Sequence, residues 1–248
     1  MVGKEAQKKV TEASIFTCKK DNMGYYIMGD DDGYVHLVSI ELLNNEYLIE
    51  KICSKNISDF PIRTCFLEIN GYYVFGDGEG SLIFVQVEYN DQIPELNVLQ
   101  RQNIRGQFIS TCDKHKNGYY VVGDKSGYLT ILRVYEENNK PSVKILCSKQ
   151  ITDNSIKTVH LACEDMFIVA DTEGVLTIVK LRNESEIEII SKNQISDTFI
   201  RNIVHHKENL YIVSDDNGNL NLCKLYEKSD VLYLEKVSTS HVAKTWIQ

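Results

Sequence analysis

The sequence has no run of eighteen apolar residues, so no transmembrane helix is predicted. Its first nine residues, Met-Val-Gly-Lys-Glu-Ala-Gln-Lys-Lys, lack the apolar stretch of a secretory signal peptide. Positive charge is also scarce: the formal net charge is −8, and the basic clusters are only the pairs Lys8–Lys9 and Lys19–Lys20. Because surfaces that bind nucleic acid are typically basic, we expect neither membrane insertion nor direct nucleic-acid binding.

The seven cysteines are odd in number and contain no Cys-x-x-Cys pair, which argues against a disulfide framework and against a zinc site. Cys18, Cys65 and Cys112 are each 47 residues apart, so they occupy one repeated position. Buried free thiols in a reducing compartment explain this pattern. We therefore expect a cytoplasmic or nuclear protein with no metal and no cofactor.

What the chain does contain is a fivefold internal repeat. The core of each copy reads apolar–apolar–small–Asp-x-x-Gly. The marker aspartates are Asp30, Asp77, Asp124, Asp171 and Asp215, at spacings of 47, 47, 47 and 44 residues. The marker glycines Gly33, Gly80, Gly127, Gly174 and Gly218 keep the same spacing. Self-similarity at such a period is typical of a repeat architecture.

Each copy has four β-rich runs, here named strands A to D. Strand A begins at an isoleucine, strand B is the Tyr-Tyr-apolar-apolar run, strand C follows the marker Gly, and strand D precedes the next copy. Such runs, with turn residues between them and almost no proline, predict an antiparallel sheet. A lone four-stranded sheet cannot bury both faces, which favours radial stacking. The predicted fold is therefore all-β, a β-propeller of five four-stranded antiparallel blades of about 44–47 residues.

We predict one domain over residues 1–248. Its blades span about 11–57, 58–104, 105–151, 152–195 and 196–242. Residues 243–248 predict part of a further strand A, and residues 3–10 align loosely with the end of a strand D. Two arrangements stay open: a closed ring of five blades, or a portion of something larger. Closure is favoured because an open sheet edge invites unwanted pairing.

The turns carry signals of their own. Asn70-Gly71 and Asn117-Gly118 predict tight A–B hairpins. The Asp-x-x-Gly segment predicts a type I turn in which the Asp side chain accepts backbone N–H bonds, so the marker residues are interpreted as structural turn formers. Hairpin symmetry also predicts opposite-charge pairs, each worth about 0.2–1 kcal/mol: Arg63 with Asp77, Lys157 with Asp171 and Arg201 with Asp215.

On these motifs the repeat resembles the WD-repeat and WD-like β-propellers over nearly the whole chain. The Trp-Asp and Gly-His signatures of that family are absent, and its usual Asp before the turn glycine is present only as Asp32. The hydrogen-bonded tetrad of the family is therefore not transferred to this chain. The Gly-Asp-x-x-Gly turns are more similar to the divergent propellers of cleavage-factor and damaged-DNA-binding assemblies. The resemblance implies a scaffold for protein assemblies.

Catalytic and metal sites have little support in the sequence. Asp30-Asp31-Asp32-Gly33 is faintly similar to a calcium loop, but the corresponding turns at Asp77 and Asp124 supply too few oxygens. The histidines have no fixed spacing that groups them as ligands or places one beside a Ser or Cys nucleophile. They are His36, His115, His160, His205, His206 and His241. No catalytic residue is predicted.

The rim formed by the D–A linkers and the B–C turns is the predicted partner-binding surface. Its candidate residues are three aromatics just before the strand A isoleucine and three cations just after it: Phe60, Phe108, Phe199, Arg63, Lys157 and Arg201. Aromatic rings with nearby arginine are preferred at protein interfaces. The alternative is that the rings plug the packing between blades.

These observations predict a non-catalytic protein–protein interaction scaffold or adaptor, a subunit of a larger eukaryotic assembly that binds a protein or peptide. A carbohydrate-binding five-bladed lectin is the alternative, although the loops vary more than one sugar site per blade would allow. A glycosidase-type hydrolase would need paired carboxylates that converge on a central channel, whereas the marker aspartates lie on turns.

Overall fold

The computed structural model describes residues 7–21, 23–67, 71–89, 93–114, 118–163 and 165–244, which form twenty β-strands and no helix. The strands make five antiparallel sheets of four consecutive strands each. The predicted number, size and antiparallel character of the sheets are thereby confirmed.

The first sheet contains β1 (Ile15–Lys20), β2 (Tyr26–Asp30), β3 (Tyr34–Leu43) and β4 (Glu46–Asn56), and the second β5 (Ile62–Leu67), β6 (Tyr72–Asp77), β7 (Ser81–Glu88) and β8 (Glu95–Asn103). The third contains β9 (Ile109–Lys114), β10 (Tyr119–Asp124), β11 (Tyr128–Glu137) and β12 (Lys140–Gln150). The fourth contains β13 (Ile156–Cys163), β14 (Met166–Asp171), β15 (Val175–Arg182) and β16 (Glu186–Gln194), and the fifth β17 (Ile200–Lys207), β18 (Leu210–Asp215), β19 (Asn219–Lys228) and β20 (Val231–His241).

The chain divides into two compact units, residues 1–109 with 136–142 and residues 110–135 with 143–248. The first unit contains the first two sheets. The second unit contains the fourth and fifth sheets and most of the third. The blade limits and the single domain stay predictions.

Within each unit the core lies between neighbouring sheets. In the first unit, Ile27 and Leu37 of the first sheet pack with Phe75 and Val85 of the second. In the second unit the fourth sheet is buried on both faces, because side chains alternate along a strand. Phe167 lies in the cluster shared with the third sheet, and its neighbour Ile168 in the cluster shared with the fifth. Burial on both faces explains why the B strands are almost continuously apolar.

The small residue before each marker Asp leaves room for the next sheet. A Cβ atom placed on Gly29 would lie 2.4 Å from Cγ2 of Ile62, the first residue of the following strand A, and Gly123 meets Ile156 at the same distance. At distances this short, a Cβ is accommodated only if the isoleucine shifts. The repeated isoleucine of one sheet therefore packs against the repeated small residue of the preceding sheet.

Left-handed residue pairs close the C–D hairpins. Asn44 and Asn45 have φ angles of 51° and 68°, and Asn138 and Asn139 have 52° and 60°. Positive φ at both central residues is typical of a type I′ hairpin turn. Of the predicted A–B turns, Gly71 and Gly118 also have positive φ, whereas Asn70 and Asn117 lie outside the described residues.

The predicted terminal strands stay predictions. Residues 7–10 and 242–244 are not in strands. The remaining parts of both segments, 3–6 and 245–248, lie outside the described residues.

The linker–turn rim as candidate functional site

Each B–C turn is organised by its marker aspartate. In all five turns the Oδ1 atom accepts hydrogen bonds from the backbone N–H groups two and four residues further along the chain, at N···O distances of 2.8–3.1 Å. The five aspartates are at most 4% exposed. Each carboxylate thus joins both sides of its own turn.

The second carboxylate oxygen is bound by a hydroxyl from the preceding linker. The donor stands nineteen residues before the aspartate in four of the five repeats: Thr11 to Asp30 at 3.0 Å, and Ser58 to Asp77, Thr152 to Asp171 and Ser196 to Asp215 at 2.8 Å. Arg105 occupies this position in the third repeat. The sequence analysis missed these hydroxyls, although their spacing repeats with that of the aspartates.

Hydrogen bonds hold two of these carboxylates in the charged form. Burial raises the pKa of Asp30, but bonds from His36, from the N–H of Tyr34 and from Thr11 outweigh it, so the pKa of Asp30 is lowered. The pKa of Asp215 is also lowered, because bonds from Asn219, Ser196 and Asn221 outweigh the effect of burial. Donors directed at a carboxylate favour its ionised form.

The same hydroxyls fix the course of the linkers. Ser58 Oγ accepts a hydrogen bond from the N–H of Phe60 at 3.1 Å while it donates to Asp77. The linker also crosses the preceding turn so closely that a Cβ on Gly33, whose φ is +79°, would lie 1.9 Å from the Ser58 carbonyl oxygen. The marker glycine is therefore required both by its φ and by the linker above it. Phe60 is consequently held at a defined position on the rim.

His36 makes a polar array in the first repeat that the sequence analysis did not anticipate. Its Nε2 lies 2.9 Å from Oδ2 of Asp30, its Nδ1 lies 2.8 Å from Oγ of Ser54, and the residue is only 3% exposed. These three residue types are those of a hydrolytic triad.

The fifth repeat has the same arrangement of hydrogen bonds, with an amide in place of the histidine base. Asn221 takes the position of His36: Thr239 donates to its Oδ1 at 2.7 Å, and its Nδ2 donates to Asp215 at 3.1 Å. An amide cannot accept a proton from a nucleophile. The recurrence of the geometry with an amide favours a structural link between turn and strand D over catalysis.

The predicted opposite-charge pairs are wrong in register. Ile62, not Arg63, faces Asp77, because a β-bulge shifts the pairing between Ile62 and Thr64. The same irregularity makes Ile156 rather than Lys157 face Asp171, and Ile200 rather than Arg201 face Asp215. A bulge inserts one extra residue and re-aims its side chain. Asp77 instead accepts a bond from Arg101 of strand D at 2.9 Å.

In the first unit the bulge brings Arg63 into an aromatic cluster. Its guanidinium carbon lies 3.4 Å from the ring centroid of Phe16 and 5.5 Å from that of Phe108. Its Nη2 donates to Asp31 of the preceding B–C turn at 3.0 Å. Phe60 lies at the same rim and is 38% exposed, and a Cβ on Gly78 would lie 3.2 Å from both Phe60 and Phe108. We call Phe16, Phe60, Arg63 and Phe108 the Arg63 cluster.

In the second unit Phe199 lies near two cations. Lys157 Nζ is 5.7 Å and the guanidinium carbon of Arg201 5.8 Å from its ring centroid, within reach of cation–π attraction. The Nε of Arg201 donates to Asp216. Phe199 is 38% exposed, as Phe60 is. We call Lys157, Phe199 and Arg201 the Arg201 cluster.

The six predicted rim residues thus fall into two local clusters, each described within its own unit. Their role in partner binding stays a prediction, as does packing of the rings between blades. Within the described residues, no group of three or more His, Cys, Asp or Glu could hold a metal ion, and no helix could cross a bilayer. All seven cysteines are thiols rather than disulfide partners, and of the three at the repeated position Cys65 is buried, Cys112 half-buried and Cys18 exposed.

Comparison with known proteins gives structural matches alone. No protein-family model matches the sequence, and no curated protein is significantly similar to it. Among solved structures, the WD40 β-propeller domain of Doa1 aligns with 96% of this chain and 72% of its own, at a TM-score of 0.67 and 12% identity. Myceliophteria thermophila Cps50 (Swd1) aligns over 94% of this chain and 74% of its own, at a TM-score of 0.64 and 11% identity.

A third match is Chaetomium thermophilum Sqt1, whose structure contains the N-terminus of the ribosomal protein L10. It aligns with 81% of this chain at a TM-score of 0.61 and 11% identity, and this chain spans 56% of its length. At these identities the similarity shows the fold alone. The chain has the fold of a WD40 β-propeller, which confirms the predicted fold class and the resemblance to WD-like propellers.

Proposed function

We propose that the chain is a non-catalytic protein-interaction scaffold, a subunit of a larger eukaryotic assembly in the cytoplasm or nucleus. Its linker–turn rim docks a protein or peptide through the Arg63 and Arg201 clusters. The seven cysteines, which are thiols rather than disulfide partners, support a reducing compartment. Sqt1 with a bound protein N-terminus supports a protein or peptide ligand, since it is a WD40-type propeller in a protein complex.

The Arg63 cluster carries this proposal. The Arg63 guanidinium lies over the rings of Phe16 and Phe108, and Asp31 orients it. Phe60 leaves more than a third of its surface to solvent at a position set by the Ser58 hydroxyl. A surface that is ordered before binding loses little side-chain entropy on association, and aromatic and arginine side chains are the usual anchors of interfaces.

Charge reversal tests the rim. The variants Arg63→Glu and Arg201→Glu are compared with wild type in affinity purification from native cells with quantitative mass spectrometry of co-purifying chains. We expect at least one stoichiometric partner to be lost from each variant, together with an unchanged far-UV circular dichroism spectrum. Tyr135→Ala serves as the control, since Tyr135 is 41% exposed on strand C of the third repeat, away from the linkers.

If both rim variants retained every partner, the docking surface would lie outside the rim. A glycan array run on the same wild-type preparation tests the lectin alternative. Saturable sugar binding that survives both rim substitutions would replace the protein-scaffold proposal.

A further inference from the structure

The hairpin formed by β3 and β4 has an apolar face that is open to solvent. The register pairs Ile40 with Ile49 and Leu42 with Tyr47 across the two strands. Alternation along the strands places these four side chains on one face of the ribbon. Leu42 is 58% and Tyr47 60% exposed, and Ile40 is 38% exposed. We call this set the hairpin face.

The third and fourth repeats do not repeat this composition. In the third repeat, two periods of 47 residues further on, Glu136 and Glu137 stand where the first repeat has Leu42 and Leu43. In the fourth repeat, no large apolar side chain of strands C and D is exposed among residues 175–194, all of which the structure describes. The pairing of exposed Leu42 with exposed Tyr47 is therefore not a requirement of the fold, although the second repeat also exposes Tyr89 and Ile93 beside its C–D connection. Exposed apolar patches of this kind mark interaction sites.

The opposite face of the same ribbon is acidic. Glu41, Glu46 and Glu50 are exposed there, alongside Leu43 and Leu48. Lys51 of β4 donates a hydrogen bond from its ammonium group to the Val10 carbonyl oxygen at 2.9 Å. Because the ribbon is only two strands wide, three carboxylates lie within about one Debye length of anything seated on the hairpin face.

The negative charge of the acidic face favours one kind of partner at the hairpin face. A second copy of the chain would bring three further carboxylates to the contact, and four side chains supply far less than the roughly 800 Å² per partner of a stable interface. A partner segment with lysine or arginine beside its apolar residues would instead complement both the face and its acidic edge.

We propose that the hairpin face is a second docking surface, which binds a protein segment whose apolar side chains are flanked by lysine or arginine. The contact requires Leu42 and Tyr47 and is strengthened by the carboxylates of Glu41, Glu46 and Glu50. It is distinct from the linker–turn rim, because the hairpin tip joins strands C and D whereas the rim joins D to A and B to C.

A random 16-residue peptide library displayed on phage provides the probe. Panning uses the full wild-type chain with counter-selection on Leu42→Glu, a substitution for which Glu136 of the third repeat is the precedent. We expect enriched peptides rich in Lys or Arg next to Leu, Ile or Phe. Fluorescence anisotropy of labelled peptides should show binding about tenfold weaker to Leu42→Glu and to Tyr47→Ala than to wild type.

Leu43→Glu is the matched control, since Leu43 is 51% exposed on the acidic face one residue away. We expect it to bind within about twofold of wild type, and the wild-type affinity to fall when salt screens the carboxylates. Equal binding by Leu42→Glu, enrichment of neutral or acidic peptides, or no enrichment would overturn the proposal. So would a wild-type dimer in sedimentation velocity, or binding to phosphatidylserine vesicles, that Leu42→Glu abolishes.

Discussion

The first and fifth repeats build one polar network from different side chains. In the first, Asp30 is bound by Thr11 and His36, and His36 in turn meets Ser54. In the fifth, Asp215 is bound by Ser196 and Asn221, and Asn221 accepts from Thr239.

The difference teaches that the repeat conserves a geometry of donors around a buried carboxylate rather than the identity of the donors. An imidazole and an amide can each donate to the aspartate and meet a hydroxyl on strand D. A buried carboxylate needs such donors, because an ion without them is costly to desolvate. The apparent Ser–His–Asp array of the first repeat is thus one version of a structural motif.

Removal of the carboxylate should have the largest effect. Asp30→Ala and Asp215→Ala each leave several buried donors without an acceptor, so we expect each to lower the free energy of unfolding by about 3–5 kcal/mol. Asp215→Ala should cost at least as much, since Asp215 also accepts from the side chain of Asn219. Urea denaturation of both variants measures this, and a loss below 1 kcal/mol in either would contradict the structural role.

The second-largest effect should come from substitution of the small residue before the marker Asp, which differs between the two repeats. Gly29→Ser would place its Cβ 2.4 Å from Ile62 Cγ2, and we expect a loss of about 1–3 kcal/mol from overpacking. The fifth repeat already accommodates Ser214, so the reverse change Ser214→Gly should cost about 0.5–1 kcal/mol. Chemical denaturation of Gly29→Ser and Ser214→Gly tests which variant loses more free energy of unfolding. Equal losses would show that the Ile62 side chain shifts to accommodate the serine.

Acid should weaken both networks. The pKa values of Asp30 and Asp215 are lowered in the folded chain, so their contribution is fully present above the unfolded value of about 3.9 and is lost as pH falls through the lowered pKa. The urea midpoint should therefore decrease on acidification below about pH 4. In Asp215→Asn the urea midpoint should decrease less as the pH falls. An unchanged pH dependence would show that other carboxyl groups account for the decrease.

Exchange of the donors should have the smallest effect. His36→Asn gives the first repeat the amide of the fifth, and Asn221→His makes the reverse change. We expect each to alter the free energy of unfolding at neutral pH by less than about 1 kcal/mol, because each keeps one donor on the carboxylate. His36→Ala is the control that removes the donor. A loss from His36→Asn as large as that from His36→Ala would show that the imidazole is specifically required.

The sheets could be predicted from the sequence because their determinants are local. Strand alternation, the Asp-x-x-Gly turn and the constant spacing of Asp30, Asp77 and Asp124 each depend on residues close together in the chain. The turn hydrogen bonds of these aspartates span only two to four residues. The linker hydroxyls could also have been found, since Ser58 and Thr152 repeat with the same period.

The partners of the rim cations could not be predicted. A bulge at Arg63 displaces it from Asp77 and brings it to Asp31, a residue of the preceding B–C turn. Hairpin arithmetic assumes an unbroken ladder, and a single inserted residue changes every pairing beyond it.

The sequence by itself therefore determined the number of sheets, their four strands and the turns that join B to C, because each is specified within one repeat. Only the tertiary structure decided which ring meets which cation and which hairpin leaves leucines exposed to solvent. Phe16 lies 47 residues before Arg63, so whether they meet depends on how neighbouring sheets pack.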